Sequence, residues 1–285
     1  MSEAARALLV DWLSRQVDGA TRAWLATQIS GLAGARNDAA LHLAFGLIAR
    51  HLGQGTLKLS EADLVAADAS LAGWTPRDWS LADAGRILLV SSLQAEDRDF
   101  LRRFRSLCQT ASVAEAISLY RGLPFYPQPA ALEPQVGEGL RTSVPSIFQS
   151  IAHRNPYPRI FFDQGRWNQM VLKALFIGVR LAPIQGLDER TNVELAGILI
   201  DFARERWAAG RTVPFELWRC VGPFARGPGL EALERVLSTG AQIERQAAAL
   251  ALAVLSDAST AALLKRVPAL EADIASGKLT WALLG

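Results

Sequence analysis

A chain of 285 residues that is 50% hydrophobic and 20% charged has enough apolar side chain to bury a sizeable core. Its 30 basic and 28 acidic groups leave a net charge of +2, so no overall field draws it to nucleic acid or to an anionic membrane. The two cysteines, Cys108 and Cys220, lie far apart, which argues against a disulfide framework or a zinc knuckle and fits a reducing compartment.

The opening stretch MSEAARALLVDWLSRQV carries acids early and breaks its apolar run at Asp11, unlike a secretory leader or a membrane span. No later run reaches the ~20 apolar residues a spanning helix needs, so the expected location is cytoplasmic, without direct membrane insertion. Leu8, Leu9, Trp12 and Leu13 recur at helical spacing and mark a first helix. Asp18 opens a second through Trp24, Leu25 and Ile29, closed by Gly31 and Gly34. Leu41, Phe45, Ile48 and Leu52 mark a third. Four pairs match the capping-box pattern of a hydroxyl with an acid three positions on: Ser60/Asp63, Ser80/Asp83, Ser112/Glu115 and Thr191/Glu194. The run Ile87–Val90 could be a strand, but Ala84, Ile87, Leu88 and Ser91 fit a helix stripe equally well. From Glu96 to Thr110, Leu101, Phe104 and Cys108 face inward, while Arg98, Arg102 and Arg105 form a basic row. With no aromatics interleaved to stack bases, that row reads as a solvated face.

Pro124, Pro127, Pro129, Pro134 and Gly137–Gly139 break this rhythm. Tyr120, Phe125 and Tyr126 beside them point to a packed loop rather than a free linker. The boundaries expected on this basis are a helical region over 1–122, a Pro/Gly-rich connection over 123–152 and a second helical region over 153–285. After the centre, Leu195, Ile198, Leu199 and Phe202 form a strong helix stopped at Gly210. Helices around Leu230–Leu237 and Ile243–Val254 follow with tight turns. The expected fold is all-α, an irregular array of antiparallel helix pairs, HEAT-like in the C-terminal part, with the Pro-rich loop near the middle. Of the eight tryptophans, Trp74 and Trp79 flank Thr75–Pro76 and are expected to be at least half exposed.

The stretch from His153 to Asn192 concentrates the polar chemistry. Asn155–Pro156–Tyr157–Pro158 reads as a rigid, non-helical strap carrying His153, Arg154, Tyr157 and Arg159. On the helix that follows, Arg166, Gln169 and Lys173 share one face at spacings of three and four. A second irregular segment, residues 182–190, comes next. Two straps bracketing a cationic helix face predict a site for an anionic or hydroxylated small molecule, or for a partner segment. Its residues are Tyr157, Arg159, Arg166, Trp167, Gln169, Lys173, Asp188 and Arg190, with Tyr157 and Trp167 as walls. The bland alternative makes Asp163–Arg166 and Asp188–Arg190 mere clips on loop backbone. An acid–base site would draw on His153 with Asp163 or Asp188. The three histidines, His42, His51 and His153, have no ligand spacing for a metal, and no motif for a cofactor is present.

The runs RWNQMVLKALFIG, PIQGLDERTN, ARERWAAGR and ELWRCVGPF resemble the EboA family, closely over His153 to Phe224 and loosely elsewhere. The resemblance implies a non-catalytic cytoplasmic accessory, a binding or adaptor protein in secondary-metabolite traffic or export. Its partners would be other proteins of a metabolite-traffic operon, a membrane-embedded one included. It assigns no catalytic residue.

Overall fold

The helical signals are realised along the whole chain. The structure, a computed structural model, describes residues 2–32, 37–93, 97–255 and 257–284. Gly34 and Glu96, expected at a helix end and a helix start, lie outside the described residues. Among the described residues no strand is present, and one isolated antiparallel bridge joins Thr56 to Ser80. The chain divides into two units, Met1–Phe162 and Asp163–Gly285.

The first unit contains α1 (Glu3–Ser14), α2 (Gly19–Leu32), α3 (Asp38–Leu52), α4 (Glu61–Ser70), α5 (Leu81–Ser91), α6 (Asp97–Thr110), α7 (Val113–Arg121), α8 (Glu133–Leu140), α9 (Pro145–Ala152) and α10 (Tyr157–Phe161). Helix α5 is its hub, packing on α1, α2, α3 and α7. Every residue from Ala82 to Val90 is buried. A helix surrounded on all sides has no wet face, which is why the apolar run Ile87–Val90 could imitate a strand. Two charged residues, Asp83 and Arg86, are buried with it. The Ser60, Ser80 and Ser112 capping boxes all form.

Several expectations shift. Trp74 and Trp79 are buried, not half exposed. Trp74 lies 5.2 Å from Trp12 and 4.7 Å from Phe125, centroid to centroid, so the loop before α5 folds its rings into the core. Aromatic pairs at such spacing add to the burial of their large surfaces. The basic row of α6 is exposed as expected, yet Arg103 beside it is buried and ion-paired with Asp38 at 3.1 Å and Asp99 at 3.2 Å. Leu101 is half-buried, and Phe100 and Leu107 take the inward positions with Phe104.

The Pro-rich segment is more ordered than a loop. Tight 3-10 turns at Leu123–Phe125 and Pro129–Leu132 lead into α8 and α9. Pro134 and Pro145 fall in first turns, where a missing N–H costs nothing. The strap is short for the same reason. Asn155 donates to the carbonyls of Tyr120 and Ser150 and accepts from Tyr157 N, and Pro158 then sits in the first turn of α10.

The second unit contains α11 (Gln164–Phe176), α12 (Leu187–Arg190), α13 (Val193–Ala208), α14 (Leu217–Val221), α15 (Pro228–Thr239), α16 (Gln242–Leu252), α17 (Ala258–Leu264), α18 (Pro268–Ala275) and α19 (Trp281–Leu284). Helix α16, with Ala247 to Leu252 buried, packs against α14, α15, α17, α18 and α19. Gly222 lets the turn after α14 approach it: a Cβ there would stand 2.6 Å from the Ala251 carbonyl oxygen. The fourth expected cap is displaced by one residue. Asn192, not Thr191, accepts from Leu195 N at the start of α13, while the Thr191 hydroxyl donates to the Cys220 carbonyl.

Candidate functional site

The residues expected to bind a ligand belong to both units, and each unit uses them in its own way. In the first, Tyr157 is a core residue whose hydroxyl donates to the Pro129 carbonyl at 2.7 Å, and burial pushes its acidity far down. Arg159 donates to the Ala72 carbonyl at 3.4 Å. In the second, Arg166 and Lys173 are half-buried on α11 and Gln169 is exposed. Burial lowers the Lys173 pKa. Trp167 is fully buried, with the Arg190 guanidinium 4.7 Å over its ring, so it is packed core instead of an open wall. Asp188 is held by both arms of Arg219 at 2.6 Å. Asp163 caps α11 by accepting from Arg166 N at 2.7 Å. Both carboxylates suggested for acid–base work thus have structural tasks.

The motifs that carry the family resemblance do structural work as well. Buried Asn168 on α11 bonds Asn192, the cap of α13, and Gln164. Glu216 accepts from the backbone of Leu181 and Ala182 and pairs with Arg180 at 2.9 Å. Groups that an irregular segment leaves without helix partners are satisfied here by side chains.

The first unit presents a cleft of about 250 Å³ that lies wholly within it. Its apolar wall is Trp74, Trp79 and Phe125. The cleft is also lined by a polar stripe on α9: Ser146, Gln149, Ser150 and then His153, the residue that ends the helix. These positions are three, four and seven apart and so share a face, while Phe148, Ile151 and Ala152 enter the core. Two guanidiniums line the cleft, Arg121 and Arg154, and one carboxylate, Asp78.

Arg121 is fixed from below. Its Nη1 donates to Asp83 Oδ2 at 2.7 Å. The same carboxylate caps α5 through Ser80 and accepts from Ser118 Oγ at 2.6 Å. Nearby Arg86, buried against the Phe45 ring, has its pKa lowered by burial despite Glu115 at 3.5 Å and Asp83. Arg154 is held differently. It adopts φ 48°, a left-handed conformation that a side-chain-bearing residue occupies at a cost of about 1 kcal/mol. From there it pairs with Asp78. Both partners are about half exposed (45% and 56%), and an ion pair in that setting contributes at most ~1 kcal/mol.

The site therefore joins a wall of mutually tilted aromatic rings, hydrogen-bonding side chains and two guanidiniums. Among the described residues no group of three or more His, Cys, Asp or Glu gathers as a metal would require. Of the sequence expectations, His153 and Arg154 of the strap line this cleft, as do Trp74 and Trp79, which were expected to be at least half exposed and not part of a site; Arg121, Asp78 and Gln149 were not singled out. The polar stripe of α9 was visible, but a polar helix face ordinarily reads as a wet one.

No curated protein and no solved structure matches the chain. A family model does, that of the metabolite traffic protein EboA, over residues 5–222, which takes in nearly all of the first unit, its cleft included, and the motifs of the second up to Gly222. With most of its length covered, the chain belongs to the EboA family.

Proposed function

We propose that this protein is a binding protein of metabolite traffic, which holds a small organic molecule in the cleft of the first unit without transforming it. The observation that carries the reading is the pairing of the Trp74–Trp79–Phe125 wall with the α9 polar stripe. Binding sites combine apolar walls with a few placed polar groups. Other proteins of the same traffic, a membrane-embedded one among them, would deliver the molecule or receive it. Among the described residues no helix is long and apolar enough to cross a membrane.

The test compares wild type with Ser146→Trp, which fills the cleft from the half-buried Ser146 in the first turn of α9. Each is incubated with extract of producing cells, repurified, and its bound small molecules are identified by mass spectrometry. The reading expects a species enriched on wild type and missing from the variant, at unchanged helical content. Equal recovery from both would remove it. A second reading gives His153 a proton-transfer role, because it lines the same cleft. Conversion of the bound species by wild type, stopped in His153→Gln with binding intact, would favour catalysis.

A further inference from the structure

We infer that the cleft takes a small organic anion, a carboxylate carried on an apolar body, whose acid group replaces the Asp78 carboxylate at the Arg154 guanidinium. This rests on the binding reading above and adds the charge of the ligand and the residue that recognises it. Arg154 and Asp78 come from segments 76 positions apart and meet at the lining of the cleft. The pair is half exposed, so water screens it and either partner is open to exchange. Asp78 shows what the Arg154 fork accepts, a planar carboxylate, which the guanidinium can bind through two parallel N–H groups. An incoming acid would bring with it something Asp78 lacks, an apolar body to pack beside Trp74, Trp79 and Phe125. Arg121, locked by Asp83, adds a second guanidinium that does not have to be reoriented on binding. The left-handed backbone at Arg154 fits this role, since strain of that kind collects where a side chain has to be aimed.

The probes are 2-naphthoate and 2-naphthamide, equal in shape and different in charge, titrated calorimetrically into the full chain at neutral pH. The acid is expected to bind at least about tenfold more tightly than the amide, as a charge-assisted hydrogen bond implies. Asp78→Asn, which removes the internal competitor, is expected to tighten naphthoate several-fold and to leave naphthamide unchanged. Arg154→Gln should erase the preference for the acid, and Arg154→Lys should restore part of it. Each variant is checked for wild-type helical content. Equal binding of acid and amide, or weaker naphthoate binding by Asp78→Asn, overturns the inference. If Ser146→Trp then excludes both probes, the cleft reading still stands. Failure of both probes to bind also overturns the inference, and the extract comparison decides the cleft reading separately.

Discussion

Arg154 and Gln128 are the two non-glycine residues with positive φ among those described. Gln128 starts a 3-10 turn in the Pro-rich segment, a place where chain direction has to change. Arg154 faces a cleft, and its backbone cost should be separable from its use. Arg154→Gly removes the left-handed penalty, gives up a weak exposed ion pair and adds chain entropy, so unfolding in urea should stay within about 1 kcal/mol of wild type. The preference for 2-naphthoate over 2-naphthamide should be lost all the same. Asp83 should behave in the opposite way. It is buried, caps α5 and fixes Arg121. Asp83→Ala leaves those charges uncompensated and should cost about 3 kcal/mol in a urea melt, a typical penalty for breaking a buried pair.

At the scale of elements, start signals were legible because a capping box lies within four consecutive residues. Ser60→Ala and Ser112→Ala should each cost about 1 kcal/mol of thermal stability. Asn192→Ala should cost more, about 2 kcal/mol, because Asn192 both caps α13 and ties it to Asn168 of α11. That double task is the reason the cap moved off Thr191. Helix α5 shows the limit of periodicity. Once every face is covered, an amphipathic stripe disappears and only length and caps speak for a helix. Helix α9 shows the complementary limit. Its Ser146–Gln149–Ser150–His153 face is as polar as a solvated one, and only its neighbours make it the side of a cleft.

For the molecule as a whole, stability should depend on pH through the paired carboxylates. Asp63 is held well below the ordinary carboxylate range, first by its hydrogen bond from Arg15, and Asp38 is lowered likewise by Arg102. A depressed folded-state pKa stabilises the protein above the unfolded value near 4, and that contribution is lost as pH falls through the depressed value. Melting temperature should therefore drop between pH 5 and strong acid, and Asp63→Asn should shrink the drop. Burial pushes both thiols, Cys108 and Cys220, up to about 12. The native protein should accordingly resist a thiol reagent at mildly alkaline pH, with both cysteines labelled only after unfolding. Because the cleft lies within residues 74–156, a fragment spanning residues 1–162 should keep a cooperative helical melt and bind 2-naphthoate.

The sequence alone determined the all-α class, most helix positions and the family, since each depends on residues within one or two turns of each other or on a contiguous motif. It also marked His153 to Asn192 as the densest polar stretch, but much of that polarity serves the chain itself: Asn155 and Asp163 bind backbone groups, Asn168 holds the cap Asn192, and Asp188 holds Arg219. Tertiary structure alone decided that Trp74 and Trp79 are buried, that Asp78 meets Arg154 across 76 positions, and that one polar helix face lines a cleft while another meets water. The reason is physical. A helix's own sequence fixes which side chains share a face, but what that face meets depends on how distant helices pack.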